Sequence, residues 1–277
     1  MYGQMLHVFR NTPFGRETLM QSAYFCQQNE GLSLAVYVPA HQRFNLRFGV
    51  NEIIVFLDQS YLFSPGTARA HAEEILAGTG VKHEFFTPTV RAAQDLPELS
   101  PDFRVMGCPR TVSEQSGRIG LGHLGPKVRS IVKLAPFPVL IPSMTFKPWK
   151  RVAVFFGGSP LGANVIRLGL TVAERAKVPC TVYTQLHGTT RAECEQTLAD
   201  AGLSGRVGEG GAPWELFEHG TLEENLWAVP HDALVVIGAA GHRLIQELVF
   251  GSNLEKVQST LPNPLLVVGP QWKPAAR

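Results

Sequence analysis

The stretch Ala233-Leu234-Val235-Val236-Ile237-Gly238-Ala239-Ala240-Gly241, followed after nine intervening residues by Gly251-Ser252-Asn253, sets the architecture that the rest of the chain follows. Its first five residues are an unbroken apolar run rich in β-branched side chains, fit for a strand buried on both faces. The glycines that follow lack the Cβ that would hold an anion away from the backbone, and they tolerate positive φ. Ser252 precedes Asn253-Leu254-Glu255-Lys256-Val257, which reads as the opening of the last helix. A serine there, with the free N–H groups of a first helical turn and the helix dipole, presents several donors to one negative group. In doubly wound sheets such a turn lies at the carboxyl ends of the strands, where ligands bind.

Outward from this stretch, the second half alternates strand and helix. Arg151 to Phe156 reads as a buried strand that passes through Gly157-Gly158-Ser159-Pro160 into a helix from about Ala163 to Lys177, with Val165, Leu168, Val172, Ala173 and Ala176 at helical spacing. Thr181-Val182-Tyr183 is a further strand, and Arg191 to Ala201 a helix with Cys194, Leu198 and Ala201 on one face. Arg206-Val207 reads as a short third strand, Trp214 to Trp227 as a helical stretch that Gly220 interrupts, and Leu265 to Val268 as the last strand. Strands alternating with helices imply parallel pairing and right-handed crossovers.

The two halves repeat. Ala135-Pro136-Phe137-Pro138-Val139-Leu140-Ile141 recurs as Leu261-Pro262-Asn263-Pro264-Leu265-Leu266-Val267, Phe146-Lys147-Pro148 as Trp272-Lys273-Pro274, and Thr12-Pro13-Phe14-Gly15 as Ser159-Pro160-Leu161-Gly162. Two copies of one domain, residues 1–147 and 148–277, account for this. The first copy offers strands at Leu6 to Phe9, Leu32 to Val38, His83 to Phe86, Arg104 to Met106 and Val139 to Ile141, and helices at Thr18 to Gln28 and Ala68 to Ala77. An insert from Ala40 to Ser64 adds an apolar run to which sequence alone assigns no role.

Composition narrows the function. Of 277 residues, 44% are hydrophobic and 17% charged, which marks a globular chain of a length suited to two domains. The net charge is +2, with basic and acidic residues mixed, so no stripe exists to track a nucleic-acid backbone. The four cysteines are scattered and suggest a reducing compartment rather than a disulfide framework. Met1 to His7 lacks a charged n-region followed by an apolar stretch, and Ile53 to Leu57 is far too short to span a bilayer. The expectation is a cytoplasmic protein without a signal peptide or membrane partner.

The Gly-x2-Gly-x9-Gly-Ser arrangement, with Glu255-Lys256-Val257, Pro262 to Val268 and His231 to Gly238 around it, resembles the nucleotide-binding members of the universal stress protein family. Ser159-Pro160 is similar to that family's turn after the first strand. The resemblance covers the second half well and the first half faintly. It implies an α/β fold of two tandem domains, each a Rossmann-like, adenine nucleotide alpha hydrolase-like five-stranded parallel sheet with helices on both faces. It further implies ATP or another adenine nucleotide at the strand tips, with or without Mg, and pairing of the two halves within the chain or of two chains in a homodimer. By position, Gly238, Gly241, Gly251, Ser252 and Asn253 would donate to phosphates, and Gly158 and Ser159 would line the opposite wall near the ribose and adenine. His242, directly after Gly241, would reach a phosphate, and reads equally well as a solvated loop histidine.

Two departures weaken the nucleotide reading. The family's acidic residue in the turn after strand one falls at Gly157, and at Arg10 in the first half; the small hydroxyl residue after Gly-Ser is Leu254. A diphosphate, AMP or another adenine ligand stays open. In the first half, aligning Gly107 with Gly238 puts Arg110 in place of the second glycine, and Gly125-Pro126 in place of Gly251-Ser252, so that half reads as a structural partner without a nucleotide site. Cys108 reads as packing, Trp214, Phe217 and Trp227 as core or interface residues, and Glu215, Glu218, Glu223 and Glu224 as a solvated helix face. No histidine spacing suits zinc, and no general base accompanies the loop. Three functions compete: a nucleotide-binding stress protein acting through conformation or partners with at most slow hydrolysis, a scaffold without nucleotide, and an ATP pyrophosphatase or nucleotidyl transferase. The last lacks both the pyrophosphatase Asp-Ser and any His-x-Gly-His.

Overall fold

The apolar runs become strands because their side chains have somewhere to go on both faces. A computed structural model describes residues 3–40, 43–57, 64–86, 89–90, 97–99, 103–110, 124–186, 188–239 and 261–274. The chain divides into two compact units, with the main boundary between Pro148 and Trp149.

The first unit begins with β1 (Gly3–Val8), α1 (Pro13–Gln28) and β2 (Leu32–Tyr37). A hairpin of β3 (Arg43–Phe48) and β4 (Asn51–Phe56) follows, then α2 (Pro65–Ala77), β5 (His83–Phe85), the short β6 (Thr89–Val90) and β7 (Pro97–Leu99), β8 (Val105–Gly107), α3 (Pro126–Leu134) and β9 (Val139–Ile141). The second unit contains β10 (Arg151–Phe155), α4 (Pro160–Ala176), β11 (Cys180–Gln185), α5 (Arg191–Asp200), β12 (Trp214–Phe217), α6 (Leu222–Leu226), β13 (Ala233–Gly238) and β14 (Leu265–Val268).

Each unit carries five parallel strands in the same order. In the second, β10 pairs with β11 and β13, β11 with β12, and β13 with β14. In the first, β1 pairs with β2 and β8, β2 with β5, and β8 with β9. Numbered within each unit, the order is 3-2-1-4-5. With right-handed crossovers, that order sends the connections to both faces and leaves a switch point between the first and fourth strands. Every residue of β13 is buried, and each Leu, Val or Ile among them contributes roughly 1.5–3 kcal/mol of burial free energy.

The helices begin where proline permits. Pro13, Pro65, Pro126 and Pro160 each open a helix, at positions whose N–H would be unsatisfied in any case. Thr12 and Ser159 cap α1 and α4 by accepting from the N–H of Gly15 at 2.9 Å and of Gly162 at 3.1 Å. The expected inward face of α4 is largely observed, with Val165, Leu168, Val172 and Ala173 buried; Ala176, at the last turn, is only half-buried.

The insert of the first half is a hairpin belonging to a second, four-stranded sheet of order β4-β3-β7-β6. Its turn is Gly49-Val50, with Gly49 at φ +63°. Phe44 meets Tyr37 edge-on at 5.5 Å between ring centroids, and Phe48 meets Phe137 at 5.7 Å. Phe137 holds the repeat position that Asn263 holds in the second unit, so this departure between the halves has a tenant.

The second unit corrects several expectations. Trp214 to Phe217 is not helical but forms the third strand, paired in parallel with β11 from Val182↔Trp214 to Gln185↔Phe217. The Trp214 Nε1–H donates to Thr184 Oγ1 at 2.9 Å, and Phe217 stacks on Tyr183, which stacks on Phe155. Helix resumes only at Leu222, where Thr221 and Glu224 form a capping box, so Glu215 and Glu224 do not share a helix face. Arg206-Val207 is no strand; Val207 makes isolated bridges to Ser204 and Ala212 within a turn-rich loop. Of the two places expected for Trp227, core and interface, the core is excluded, since the residue is 70% exposed.

Candidate functional site

The turn after β10 is shaped by its neighbours. Gly158 sits at φ +72°, and a Cβ there would lie 3.2 Å from Cys194 Sγ and 3.3 Å from Thr189 Oγ1. Its carbonyl accepts from Thr197 Oγ1 at 3.0 Å. Backbone geometry and the approach of α5 therefore demand glycine here. Ser159 Oγ serves α4 as its cap. The 17-residue α4 starts at this turn with no acidic residue in its first turn, so the positive end of its dipole stands at the strand tips.

β13 runs beside β10 in parallel register, Val154↔Val236, and leaves the sheet through Gly238. The next N–H, of Ala239, is bound to Val268 O at 2.7 Å. Gly158, Ser159 and Gly238 thus lie at the carboxyl ends of the first and fourth strands, at the switch point. Gly241, His242, Gly251, Ser252 and Asn253 lie outside the described residues.

Glu193, in the first turn of α5, accepts from the backbone N–H and hydroxyl of Thr190 at 2.7 and 3.0 Å. Among the described residues, no group of three or more His, Cys, Asp and Glu side chains could hold a metal ion. Thr189, Cys194 and Thr197 shape the turn around Gly158, and sequence reasoning did not connect them to it. The helical spacing of Cys194 and Leu198 indicated that α5 faces inward, but nothing local indicated toward what.

Register also corrects the alignment of the first half. Met106 donates to Pro138 O as Val235 donates to Pro264 O, and these two prolines are repeat partners. Gly107 is therefore level with Val236, and Arg110 with Ala239 rather than with Gly241. The strand pairs His7↔Gly107 and Val154↔Val236 agree. Gly107 is a packing glycine inside the strand: a Cβ would lie 2.5 Å from Ser22 Oγ. Cys108 is fully buried, which pushes its thiol far above the usual range and makes it a packing residue. All four cysteines are free and buried.

The geometry has counterparts among solved structures. A universal stress protein from Archaeoglobus fulgidus DSM 4304 aligns over 96% of both chains at 15% identity, with a TM-score of 0.56. The chain has the universal stress protein fold. A second structure assigned to that family, from Pseudomonas aeruginosa UCBPP-PA14, aligns over 97% of this chain and 93% of its own, also at 15% identity and a TM-score of 0.56. The cytoplasmic domain of a prokaryotic cation chloride cotransporter is similar over 96% of this chain and 95% of its own at 8% identity, with a TM-score of 0.50. The universal stress fold is thus shared with a domain of another kind, and function rests on the site. No protein-family model matches the sequence, and comparison with curated proteins finds no match. Among the described residues, no helix is long and apolar enough to cross a membrane.

Proposed function

We propose that the chain is a tandem universal stress protein whose second domain binds ATP or a related adenine nucleotide and acts in the cytoplasm through conformational or partner control. The observation that carries this reading is the convergence of Gly158, Ser159 and Gly238 at the switch point of the second unit, beside the positive end of α4. Gly241, Gly251, Ser252 and Asn253 would complete the phosphate cradle, with His242 next to it. Mg would be held mainly by the phosphates, since Gly157 stands where a carboxylate would help. Hydrolysis, without a positioned base, would be slow at most.

A second reading has its own support. Gly158 is explained by its φ and by Cys194, and Ser159 by its cap, so the turn after β10 needs no ligand to account for its residues. This favours a scaffold acting through protein contacts.

Mass spectrometry of the small molecules released when freshly purified protein is denatured separates the two. A stoichiometric adenine nucleotide, together with an ATP-induced thermal shift that Gly251→Pro abolishes, supports binding. A nucleotide-free protein, or a shift that survives Gly251→Pro, supports the scaffold.

A further inference from the structure

The hairpin of β3 and β4 is an addition to the five parallel strands of the first unit, and it leaves one edge open. β4 lies at the end of the four-stranded sheet and pairs only with β3 among the described strands. The turn Gly49-Val50 has two residues, so Phe48 and Asn51 exchange hydrogen bonds across it, and Leu46↔Ile53 and Phe44↔Val55 do the same further along the alternating ladder. The backbone N–H and C=O groups of Glu52, Ile54 and Phe56 therefore point away from β3. Among the described residues, none of them bonds to another backbone group.

The same three residues carry the outward side chains. Ile53 and Val55 are buried, whereas Ile54 is 37% and Phe56 47% exposed, with Glu52 exposed beside them. An exposed apolar edge is a template for pairing, and proteins commonly shorten such strands or guard them with lysine or proline. The other strands that end a sheet are shorter: β5 has three residues, β6 two, and β12 four, with Glu215 among them. β4 has six, and none is lysine, arginine or proline.

We infer that the open edge of β4 binds a second copy of this chain, β4 pairing antiparallel with β4 across a two-fold axis at Ile54. Self-complementarity selects both the occupant and the register. Outward residues pair with outward residues, and only the register centred on Ile54 uses all three: Ile54 faces the second copy's Ile54, and Phe56 faces its Glu52. The charges agree. Arg43 is the β3 neighbour of Phe56, and Arg47 that of Glu52, with Arg47 Nε 3.7 Å from Glu52 Oε1. Across the axis, each Glu52 therefore has its own Arg47 on one side and, beyond Phe56, the other copy's Arg43 on the other side. No like charges stand directly opposite one another, and the isoleucines and phenylalanines form an apolar centre within a charged rim. The contact is small, so association depends on concentration. It is independent of nucleotide binding in the second unit.

The test follows the mass of the full chain by sedimentation equilibrium over a concentration series. Wild type should pass from monomer to dimer. Ile54→Lys, which sets two charges against each other at the axis, should raise the dissociation constant by about tenfold or more. The four native cysteines are buried, so an introduced surface thiol reports the geometry. Ile54→Cys should give a disulfide-linked dimer on mild oxidation, because residues that exchange hydrogen bonds across an antiparallel pair lie about 5.5 Å apart at Cα. Val50→Cys, 95% exposed at the turn but away from the axis, should not cross-link. If Ile54→Lys fails to fold, the two cysteine variants carry the comparison. A wild type that stays monomeric throughout, a dimer that Ile54→Lys leaves intact, or a Val50→Cys chain that cross-links as readily as Ile54→Cys overturns the inference.

Discussion

His7 Nδ1 lies 2.9 Å from Ser22 Oγ, between two fully buried side chains in the core of the first unit. In the second unit, Val154 and Gly169 hold the equivalent places, by strand register and by distance from the caps Thr12 and Ser159. There the space is made on the helix: a Cβ at Gly169 would lie 2.3 Å from Val154 Cγ2. In the first unit the helix carries Ser22, the strand carries the larger His7, and the space is made on the neighbouring strand at Gly107. One packing problem has two solutions, and the first places a titratable group where water does not reach.

That group is expected to make the first unit acid-sensitive. Desolvation lowers the His7 pKa to about 3, and Nε2 is buried without a partner among the described residues. Well above pH 6.5 neither state is protonated there. Below it the unfolded chain takes up a proton that the native state refuses until about pH 3, so stability falls as pH falls, by up to about 1.4 kcal/mol per pH unit. His7→Gln keeps a partner for Ser22 and removes the titration. Between pH 7 and 5, wild type should lose about 2 kcal/mol relative to the variant, read from exchange protection of β1 amides after correction for intrinsic rates. Parallel losses would show that His7 is not the source.

Gly169→Ala should destabilise the second unit by about 1–3 kcal/mol, although alanine is the better helix former by about 1 kcal/mol. Val154 is buried in a strand and has little room to retreat. Combining the change with Val154→Ala should recover part of the loss, giving a coupling of roughly 1 kcal/mol in urea melts. A neutral or stabilising Gly169→Ala would refute the contact.

Asn263 is 1% exposed, and its Nδ2 donates to Pro230 O at 2.9 Å and Ala233 O at 2.8 Å. It ties the entry of β14 to the turn before β13. Asn263→Ala removes both bonds, leaving Pro230 O with the Ala233 N–H at 3.1 Å, and should cost about 1–3 kcal/mol; Asn263→Asp, which cannot donate when ionised, should cost at least as much. Thermal melts of the three proteins decide, and a loss below the resolution of the melts for both variants would deny Asn263 this role.

Much of the fold was legible before any coordinates. The runs at Ala233 to Ile237 and Arg151 to Phe156, and the inward positions Val165, Leu168, Val172 and Ala173, were visible because strand and helix periods are properties of neighbouring residues. Trp214 to Phe217 misled because Trp214, Phe217, Leu222 and Leu226 imitate helical spacing; its hydrogen bonds come from β11, which no local pattern announces. Of the candidate site, the sequence indicated which turns were glycine-rich, but not that Cys194 and Thr189 already account for Gly158.

The sequence by itself determined alternating buried strands and capped helices, and hence a parallel α/β chain in two similar halves. Only the tertiary structure decided the 3-2-1-4-5 order, the seat of the insert against Tyr37 and Phe137, the two-residue offset of Gly107, and the burial of Arg110. The division follows from range: propensity and caps act within one or two turns of chain, whereas register and burial depend on residues far apart in sequence.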